Sequence, residues 1–432
     1  MYVCRQAARA DCRSIDRMGF ASLTIGPPFC KLAQFMRIAI AYHFFAHYRA
    51  AVMESLARDC ALDVTFIADE TEAGGTIAPW IRSDGVQFMR SRCFHLGPLM
   101  VQPWLPFHLL IRRYDHVILL GNAAWPTTWL AAIIASLRGA KVHFWTHGWV
   151  RPETGFIASF RSAFYRLADN LLLYGHYAKC LGVSHGFRPE RLHVIYNSLD
   201  AAAQRRFGNA VVPADLQAIR QTLFGDRNTL PLLMCSTRIT RLRRLDLLLD
   251  AMHQLKDEGF DLNLLLVGDG PEKPALEVQV KRLGLAVHFY GACYDEPTLA
   301  RLTMSADLTV APGKIGLTAM QSLGYGTPVL THGDFANQMP EWEAIIPGKT
   351  GDLFKNEDVA DLAATIRRWF EASPDRQTVR DECFSMIDRF WNPENQHRLI
   401  LRALRGLPAD DLETAMPGIL ATRNTPTCTE NR

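Results

Sequence analysis

Short apolar segments alternate with longer segments in which apolar residues recur at helical spacing, and this pattern fills two stretches of the chain. It predicts repeated strand–helix units with parallel sheets, the α/β class. In the first stretch we expect strands at 37–42, 63–68, 116–121, 142–146, 170–174 and 193–196, with helices such as 47–59, 125–137 and 156–168. In the second stretch we expect strands at 232–236, 263–268, 287–290, 308–311 and 328–331, with helices at 245–257, 271–283, 296–304 and 317–324.

The segment 198–230 separates the two stretches, because it is rich in Ala, Arg, Gln, Asp and Gly and shows no strand pattern. We therefore predict two domains joined by a linker. The predicted divisions are 36–200, a linker at 201–230, 231–390, a final amphipathic segment at 391–406 and a tail at 407–432. Residues 1–35 lack the apolar core of a signal peptide, and a strand pattern begins at Met36, which predicts a disordered extension or a misassigned start.

Charge and cysteine usage exclude some classes of protein. The net charge of the 432 residues is only +3, and the basic residues of 1–35 account for it. A polyanion-binding protein normally has a sustained basic face, so we expect no nucleic-acid partner. The ten cysteines include no C-x-x-C pair and no cluster at zinc spacing. They are typical of a protein with free thiols in the cytoplasm.

The longest apolar region is 94–111, and it contains Pro98, Pro103 and Pro106. Three prolines argue against a membrane-spanning helix. We expect a surface loop that is buried against its neighbours, and the alternative is a loop that touches a membrane surface.

Two glycine-containing loops follow predicted strands of the second stretch. Gly268 and Gly270 precede Pro271, which opens a helix, and glycine allows the backbone to approach a ligand closely. The second loop runs Gly313-Lys314-Ile315-Gly316-Leu317 into the start of a helix. Unpaired N–H groups at a helix start can bind phosphate, so we expect a phosphate site at the second loop. The first loop either approaches a ligand or is an ordinary strand-to-helix turn, since any such turn may use Gly and Pro.

The order of these motifs resembles the C-terminal domain of retaining glycosyltransferases of family 4 (glycosyl transferases group 1), which have the GT-B fold. The resemblance covers 232–370 well and extends loosely back to Met36. It rests on Gly-Asp-Gly-Pro-Glu at 268–272, Gly-Leu with Gly-Thr-Pro-Val at 316–329, and Pro-Glu with Gly-Lys-Thr-Gly at 340–351. It implies two Rossmann-like domains whose parallel sheets face a central cleft. The first would lie on the acceptor side, the second would bind the nucleotide sugar, and helix 391–406 would cross back.

The resemblance also implies roles for two cations. In the family an Arg and a Lys at five-residue spacing bind the donor diphosphate, and Arg238 and Arg243 match those positions. Arginine keeps the charge of lysine and can grip two phosphate oxygens. We expect the neighbouring Arg241 and Arg244 to be solvated.

The chain departs from the family at two positions, where the family carries glutamates eight residues apart that contact the sugar and the ribose. Gly313 and Gln321 stand there instead, and Lys314 adds a cation. Gln321 can still bond a diol, whereas Gly313 has no side chain. Glu341 and Glu343 are the remaining carboxylates nearby. In one interpretation, one of these two glutamates makes the sugar contact that the missing glutamate makes in the family. In the other, both are carboxylates at a helix start, where the helix dipole favours them.

His147 follows the predicted strand 142–146, where the resemblance implies a role near the sugar through its side chain or its backbone carbonyl. Asn197 lies at a comparable strand end and has a weaker claim. No Asp-x-Asp follows a strand end, so we expect no metal and no other cofactor.

We therefore expect a retaining, metal-independent hexosyl- or deoxyhexosyltransferase in polysaccharide or glycan biosynthesis. Its partners would be a nucleotide-sugar donor and a saccharide or lipid-linked acceptor. The expected location is the cytoplasm, and the alternative is a peripheral position at the inner face of the membrane. Two alternatives stay open: a nucleotide-sugar epimerase of the same fold, and a nucleotide-binding scaffold that has lost catalysis.

Overall fold

The computed structural model of the chain describes residues 35–72, 75, 77–97 and 99–409. The predicted extension 1–35 lies outside these residues except for Phe35, as does the tail beyond residue 409. The chain divides into two compact units. The described residues up to Phe144, with Arg166–Asp169, form the first unit; Trp145–Tyr165 and the described residues from Asn170 onward form the second. The predicted domain boundaries, which differ from this division, remain a prediction.

Fifteen named strands form three sheets in the described part of the chain. Up to residue 194 they are β1 (Met36–Phe44), β2 (Leu62–Asp69), β3 (Gln87–Arg90), β4 (Phe94–Leu96), β5 (Leu99–Val101), β6 (His116–Leu120), β7 (Lys141–Thr146), β8 (Asn170–Leu173) and β9 (Leu192–Val194). The others are β10 (Leu232–Ser236), β11 (Asn263–Val267), β12 (Ala286–Gly291), β13 (Leu308–Ala311), β14 (Val329–His332) and β15 (Gly351–Phe354).

The α/β class predicted from the sequence is confirmed by the sheet topology. A seven-stranded sheet has the order β3-β2-β1-β6-β7-β8-β9, and a six-stranded sheet has the order β12-β11-β10-β13-β14-β15. Each described pairing within the six-stranded sheet is parallel. Its central strands are buried along their whole length, as expected where helices cover both faces. Strands β4 and β5 form a separate antiparallel hairpin.

The helices match the predicted amphipathic segments, with additions. In the first unit they are α1 (Ala50–Arg58), α2 (Trp104–Ile111) and α3 (Pro126–Leu137). In the second unit they are α4 (Gly155–Tyr165), α5 (His176–Ser184), α6 (Ala201–Asn209), α7 (Pro213–Phe224), α8 (Leu245–Asp257), α9 (Lys273–Leu283), α10 (Glu296–Ser305), α11 (Leu317–Gly324), α12 (Val359–Glu371), α13 (Arg376–Arg389) and α14 (Pro393–Leu404).

Two segments of the second unit connect its parts. The predicted linker folds into α6 and α7, which both pack against α10. The side chain of Asp200 caps α6 by accepting a hydrogen bond from Ala203 N at 2.8 Å. The final helix, α14, packs against β8 and β9, and Gln396 Nε2 donates to Tyr196 O at 2.7 Å. The predicted C-terminal helix is therefore present, and it contacts strands from much earlier in the chain.

Two expectations need correction. The apolar region 94–111 forms the β4–β5 hairpin and α2 rather than a buried loop, and several of its side chains are exposed. Pro106 lies in the first turn of α2, where a missing N–H costs no intrahelical bond.

Five described cysteines have free thiols (Cys60, Cys93, Cys235, Cys293 and Cys383). Cys180 is disulfide-bonded, so the expectation of free thiols throughout was wrong there.

Candidate functional site

The loop after β10 carries the predicted diphosphate-binding arginines, and it runs beside the loop after β11. Thr237 N donates to Val267 O and Ile239 N donates to Asp269 O, each at 2.9 Å. These bonds continue the pairing of β10 and β11 beyond the ends of the strands. Arg238 therefore lies in a segment whose backbone is fixed on one side by the glycine loop.

The predicted glycines are required by the close approach of this arginine loop. A Cβ atom on Gly268 would lie 1.9 Å from Thr237 O, and one on Gly270 would lie 2.1 Å from Ile239 O. A Cβ atom on Gly313 would lie 2.1 Å from Leu242 O. Since backbone oxygens cannot move away cheaply, all three positions exclude a side chain. The glycines have a structural role here, and a direct contact with a ligand remains a prediction.

The side chain of Arg243 forms hydrogen bonds with the backbone of the loop at 313–315. Its Nη1 donates to Lys314 O and, at 3.5 Å, to Ile315 O. In return, Gly313 N donates to Arg243 O at 3.1 Å and Lys314 N to Leu242 O at 3.3 Å. Arg243 is half-buried, whereas Arg238 and Lys314 are exposed. The structure thus places Arg243 against the backbone of Lys314, with Arg238 in the same loop as Arg243, and it gives Arg243 a second, structural role.

Arg244 differs from its neighbours because carboxylates already bind its guanidinium. It forms ion pairs with Asp246 at 3.1 Å and with Glu357 at 2.7 Å. These contacts raise the pKa of Arg244, the Asp246 hydrogen bond having the largest effect. Its exclusion from the predicted diphosphate site is consistent with this pairing.

The structure divides the predicted amide site at 313–317. The amides of Gly313 and Lys314 bond to the arginine loop, and Ile315 N donates to Gln338 Oε1 at 3.0 Å. Among the described residues no acceptor bonds the amides of Gly316 and Leu317, which open α11. Gly316 has φ 56°, a conformation that favours glycine. Of the five predicted amides, those of Gly316 and Leu317 are therefore the two without an acceptor among the described residues.

Gln338 is a positioning residue that sequence reasoning did not single out. Its side chain is buried. Its Nε2 donates to Gly313 O at 3.2 Å and to Thr331 Oγ1 at 2.8 Å, while its Oε1 accepts from Ile315 N. One amide thus holds the backbone on both sides of Lys314. Its place two residues before Pro340-Glu341 was the only signal in the sequence.

Helix α11 carries Gln321, whose side chain is half-buried. Thr318 Oγ1 donates to Ser236 O at 2.9 Å and so ties the first turn of this helix to the end of β10. The predicted contact between Gln321 and a ribose diol remains a prediction.

Glu341 and Glu343 are each only 1% exposed. Glu341 Oε1 accepts from Asn197 Nδ2 at 2.7 Å. Glu343 caps α5, because Oε2 accepts from His176 N and Oε1 from Tyr177 N, both at 2.8 Å. Of the two roles considered for Glu343, the structure supports the helix-start role, at a helix distant in sequence.

The environment of Glu343 shifts its proton affinity. Burial raises the pKa of Glu343 to about 7, with Glu341 adding to the rise and the two amide hydrogen bonds opposing it. His176, at the same helix start, is also buried, and burial lowers its pKa to about 3. Its Nε2 lies 2.9 Å from Tyr196 Oη. This part of the second unit is therefore a buried polar network.

His147 directly follows β7 and is exposed, as expected for a residue at a strand's carboxyl end. Its ring centroid lies 4.7 Å from that of Tyr174. The next residue, Gly148, has φ 67°, and a Cβ atom there would lie 2.8 Å from Leu173 Cδ2. The backbone thus turns sharply after His147, and its contact with a sugar remains a prediction.

The described residues contain neither a metal-binding cluster nor a membrane-spanning helix. No three His, Cys, Asp or Glu side chains cluster there so that they could hold a metal ion. No helix of this part is long and apolar enough to cross a membrane.

Comparison with solved structures identifies the fold. The structure of Anabaena Alr3699/HepE in complex with UDP matches with a TM-score of 0.65 at 17% identity, over 86% of this chain and 100% of that one. A glycosyltransferase from Rickettsia africae ESF-5 matches with a TM-score of 0.66 at 12% identity, over 86% and 98%. The predicted GT-B fold is confirmed.

Sequence comparisons match part of the chain. The GDP-mannose-dependent alpha-(1-6)-phosphatidylinositol dimannoside mannosyltransferase of Mycobacterium tuberculosis (strain ATCC 25177 / H37Ra) is 37% identical over 102 residues. The match covers 23% of this chain and spans only 26% of that relative's length. Residues 231–372 match the family described as glycosyl transferases group 1. The predicted resemblance to glycosyl transferases group 1 is thus confirmed over residues 231–372.

Proposed function

We propose that the chain is a glycosyltransferase that moves a hexosyl or deoxyhexosyl group from a nucleotide-diphosphate sugar to a saccharide or lipid-linked acceptor. The observation that carries this proposal is the arginine loop of β10, held against Gly268, Gly270 and Gly313 at the ends of three neighbouring strands. Parallel sheets bind ligands at this edge. The family match over 231–372 supports the same reaction class.

The chemistry follows from the charges at this edge. Arg238, Arg243 and Lys314 supply cations, and the amides of Gly316 and Leu317 supply donors, which together suit a diphosphate. During transfer the bond from the anomeric carbon to the diphosphate oxygen breaks, and negative charge develops on that oxygen. Cations and amides fixed in advance stabilise this charge with little reorganisation.

We propose further that transfer retains the anomeric configuration and needs no metal. The acceptor oxygen bonds to the anomeric carbon on the face that the diphosphate leaves, and the acceptor's proton passes to a diphosphate oxygen. This route needs no pair of side-chain carboxylates. The burial of Glu341 and Glu343 agrees with such a route, because neither carboxylate is exposed for acid–base chemistry.

The donor base is tested by thermal shift with UDP, GDP, ADP, dTDP and CMP, each with magnesium and with a chelator. The relatives favour UDP and GDP: one solved structure contains UDP, and the curated relative is described as GDP-mannose-dependent. We expect one diphosphate to stabilise the protein equally in both conditions, since a ligand that binds only the native state raises its stability. Stabilisation only with magnesium would contradict metal independence.

Arg238→Ala tests the site itself. We expect this variant to keep its fold, because Arg238 is exposed. We expect it to lose the nucleotide-induced shift and to lose turnover by orders of magnitude. Arg282→Ala is the matched control, an exposed arginine on α9 that should behave like the wild type. Near-normal turnover of Arg238→Ala would overturn the assignment.

A scaffold without catalysis is the second candidate, because Gly313 and Gln321 replace both glutamates of the resembled motif. It predicts nucleotide binding without donor hydrolysis or transfer. Transfer to any acceptor, followed by chromatography of the products, would eliminate it.

A further inference from the structure

The first unit contains a long segment with almost no negative charge. Residues 85–144 include six basic side chains, Arg90, Arg92, Arg112, Arg113, Arg138 and Lys141, and one acidic side chain, Asp115. Arg37 binds Asp115 in an ion pair at 2.9 Å, and this contact lowers the pKa of that carboxyl. The surface built by this segment therefore lacks unpaired carboxylates.

Helix α2 exposes an apolar side within this segment. Its inner side consists of Leu105, His108 and Leu109, which are buried. Burial lowers the pKa of His108 to about 4, and its Nε2 lies 2.7 Å from Tyr114 Oη, so this side is fixed to the core. The opposite side consists of four large apolar residues that are each more than half exposed: Trp104, Phe107, Leu110 and Ile111.

Neighbouring elements extend this apolar side. Helix α3, which packs against α2, buries its alanines and exposes Leu130, Ile133 and Leu137, the last of them 83% exposed. The β4–β5 hairpin adds three exposed apolar side chains, and β5 packs against α3. We call these exposed side chains of α2, α3 and the hairpin the apolar face. Soluble monomers rarely expose apolar patches of this extent without a binding function.

Cations border the apolar face. Arg112 and Arg113 follow α2 directly and are exposed, and neither forms an ion pair with another described residue. Other basic residues of the segment are already paired: Arg90 with Asp69 and Glu70, and Lys141 with Asp169. The charge available beside the face is therefore positive.

We propose that the apolar face docks on the surface of a bilayer that contains anionic lipid. Trp104 and Phe107 insert at the headgroup level, where aromatic side chains are favoured, and Arg112 and Arg113 bind lipid phosphates. A second copy of the chain fits less well. An isologous contact would place the arginine pairs of two copies near each other without carboxylates to offset them.

Flotation of the full-length protein with vesicles tests this inference. The vesicles are phosphatidylcholine alone, or phosphatidylcholine mixed with phosphatidylglycerol. We expect the protein to float with the anionic vesicles and less so as salt rises, because salt screens the arginine contribution. Trp104→Gln with Phe107→Gln should weaken vesicle affinity by about tenfold or more, since two large apolar side chains no longer leave water.

Arg112→Gln with Arg113→Gln separates charge from apolar insertion. It should weaken affinity for anionic vesicles by about tenfold and leave affinity for phosphatidylcholine unchanged. Val278→Gln with Tyr294→Gln controls for the loss of exposed apolar side chains, and Lys281→Gln with Arg282→Gln controls for the loss of an adjacent cation pair. Both controls should float like the wild type.

Three results would overturn the proposal. The first is that the wild type fails to float with either vesicle, and the second is that the apolar variant floats as well as the wild type. The third is that the wild type binds no vesicles but forms dimers in sedimentation, and that the apolar variant does not form them. A second copy of the chain would then cover the apolar face. Flotation needs neither donor nor turnover, so its outcome does not depend on the proposed enzymatic function.

Discussion

A Cβ atom on Gly175 would lie 2.5 Å from Oε1 of Glu343, so the buried carboxylate occupies the space that a side chain at this glycine would need. Gly175 has extended backbone (φ −153°), which any residue can adopt, and only this contact requires glycine. From this position Glu343 receives the first two amides of α5. The contact joins α5 to the turn Pro340–Ala344, which carries Glu341.

Replacing Gly175 tests this contact. Gly175→Ala should displace the carboxylate from both amides and lower the free energy of unfolding by about 2 kcal/mol, because two buried donors lose their acceptor. The loss should be smaller when Glu343 is already Ala, since the space is then open. Gly208→Ala is the control, with no neighbouring atom within 3.7 Å of its Cβ. Urea denaturation measures the wild type, the two single variants, the double variant and the control, and equal losses in the two backgrounds would refute the contact.

Glu343→Gln should change how stability depends on pH. Burial raises the pKa of Glu343 from 4.5 to about 7, so the native state binds this proton more tightly than the unfolded state. The resulting stabilisation is fully present below about pH 4.5 and is lost as pH rises through about 7. Glutamine cannot titrate. The unfolding free energy of the wild type minus that of Glu343→Gln should therefore decrease as pH rises from about 5 to about 8.

Urea denaturation at several pH values across that range measures this difference. Glu371→Gln, a change of an exposed glutamate at the end of α12, is the control and should show no such trend. A difference that grows with pH would mean that the two amides, which lower the pKa, outweigh burial.

The sequence predicts the local elements of the second unit closely, but it does not predict the buried contact of Gly175 with Glu343. The observed bounds of α8, α11, β10 and β13 equal the predicted ones, because glycine, proline or polar residues border each apolar run. In contrast, 168 positions separate Gly175 from Glu343 along the chain, and no local pattern indicates that they meet.

The candidate site shows the same limit. The sequence predicts that the arginines and the glycine loops share one donor site, and it takes the glycines as positions where the backbone approaches a ligand. It does not predict that the backbone of the arginine loop packs directly against these glycines. Nor does it predict that this loop and Gln338 accept hydrogen bonds from three amides of the predicted anion site. In the first unit, the prolines of 94–111 favoured the prediction of a loop where α2 forms. The exposure of the apolar side of α2 depends on tertiary packing, which the periodicity of the sequence does not predict.

Gly270→Ala should damage the arginine loop without backbone strain, because Gly270 is not among the residues with positive φ. Its Cβ would lie 2.1 Å from Ile239 O, so the segment around Arg238 must shift. We expect nucleotide affinity to fall at least tenfold, since the cation moves away from its preformed position. Thermal-shift titration measures the affinity. Gly333→Ala, whose nearest neighbour lies at 3.8 Å, is the control and should bind as the wild type does.

Gln338→Met should loosen the loop at 313–315 while keeping a side chain of similar size. Methionine can neither donate to Gly313 O and Thr331 Oγ1 nor accept from Ile315 N, so buried backbone groups lose their partners. We expect a loss of about 1–3 kcal/mol in unfolding free energy. Since Lys314 and the amide of Gly316 border this loop, nucleotide affinity should fall as well. A purely structural role would reduce stability and leave the affinity of the folded protein unchanged. Titration well below the melting temperature separates the two, with Gln377→Met on α13 as an exposed control.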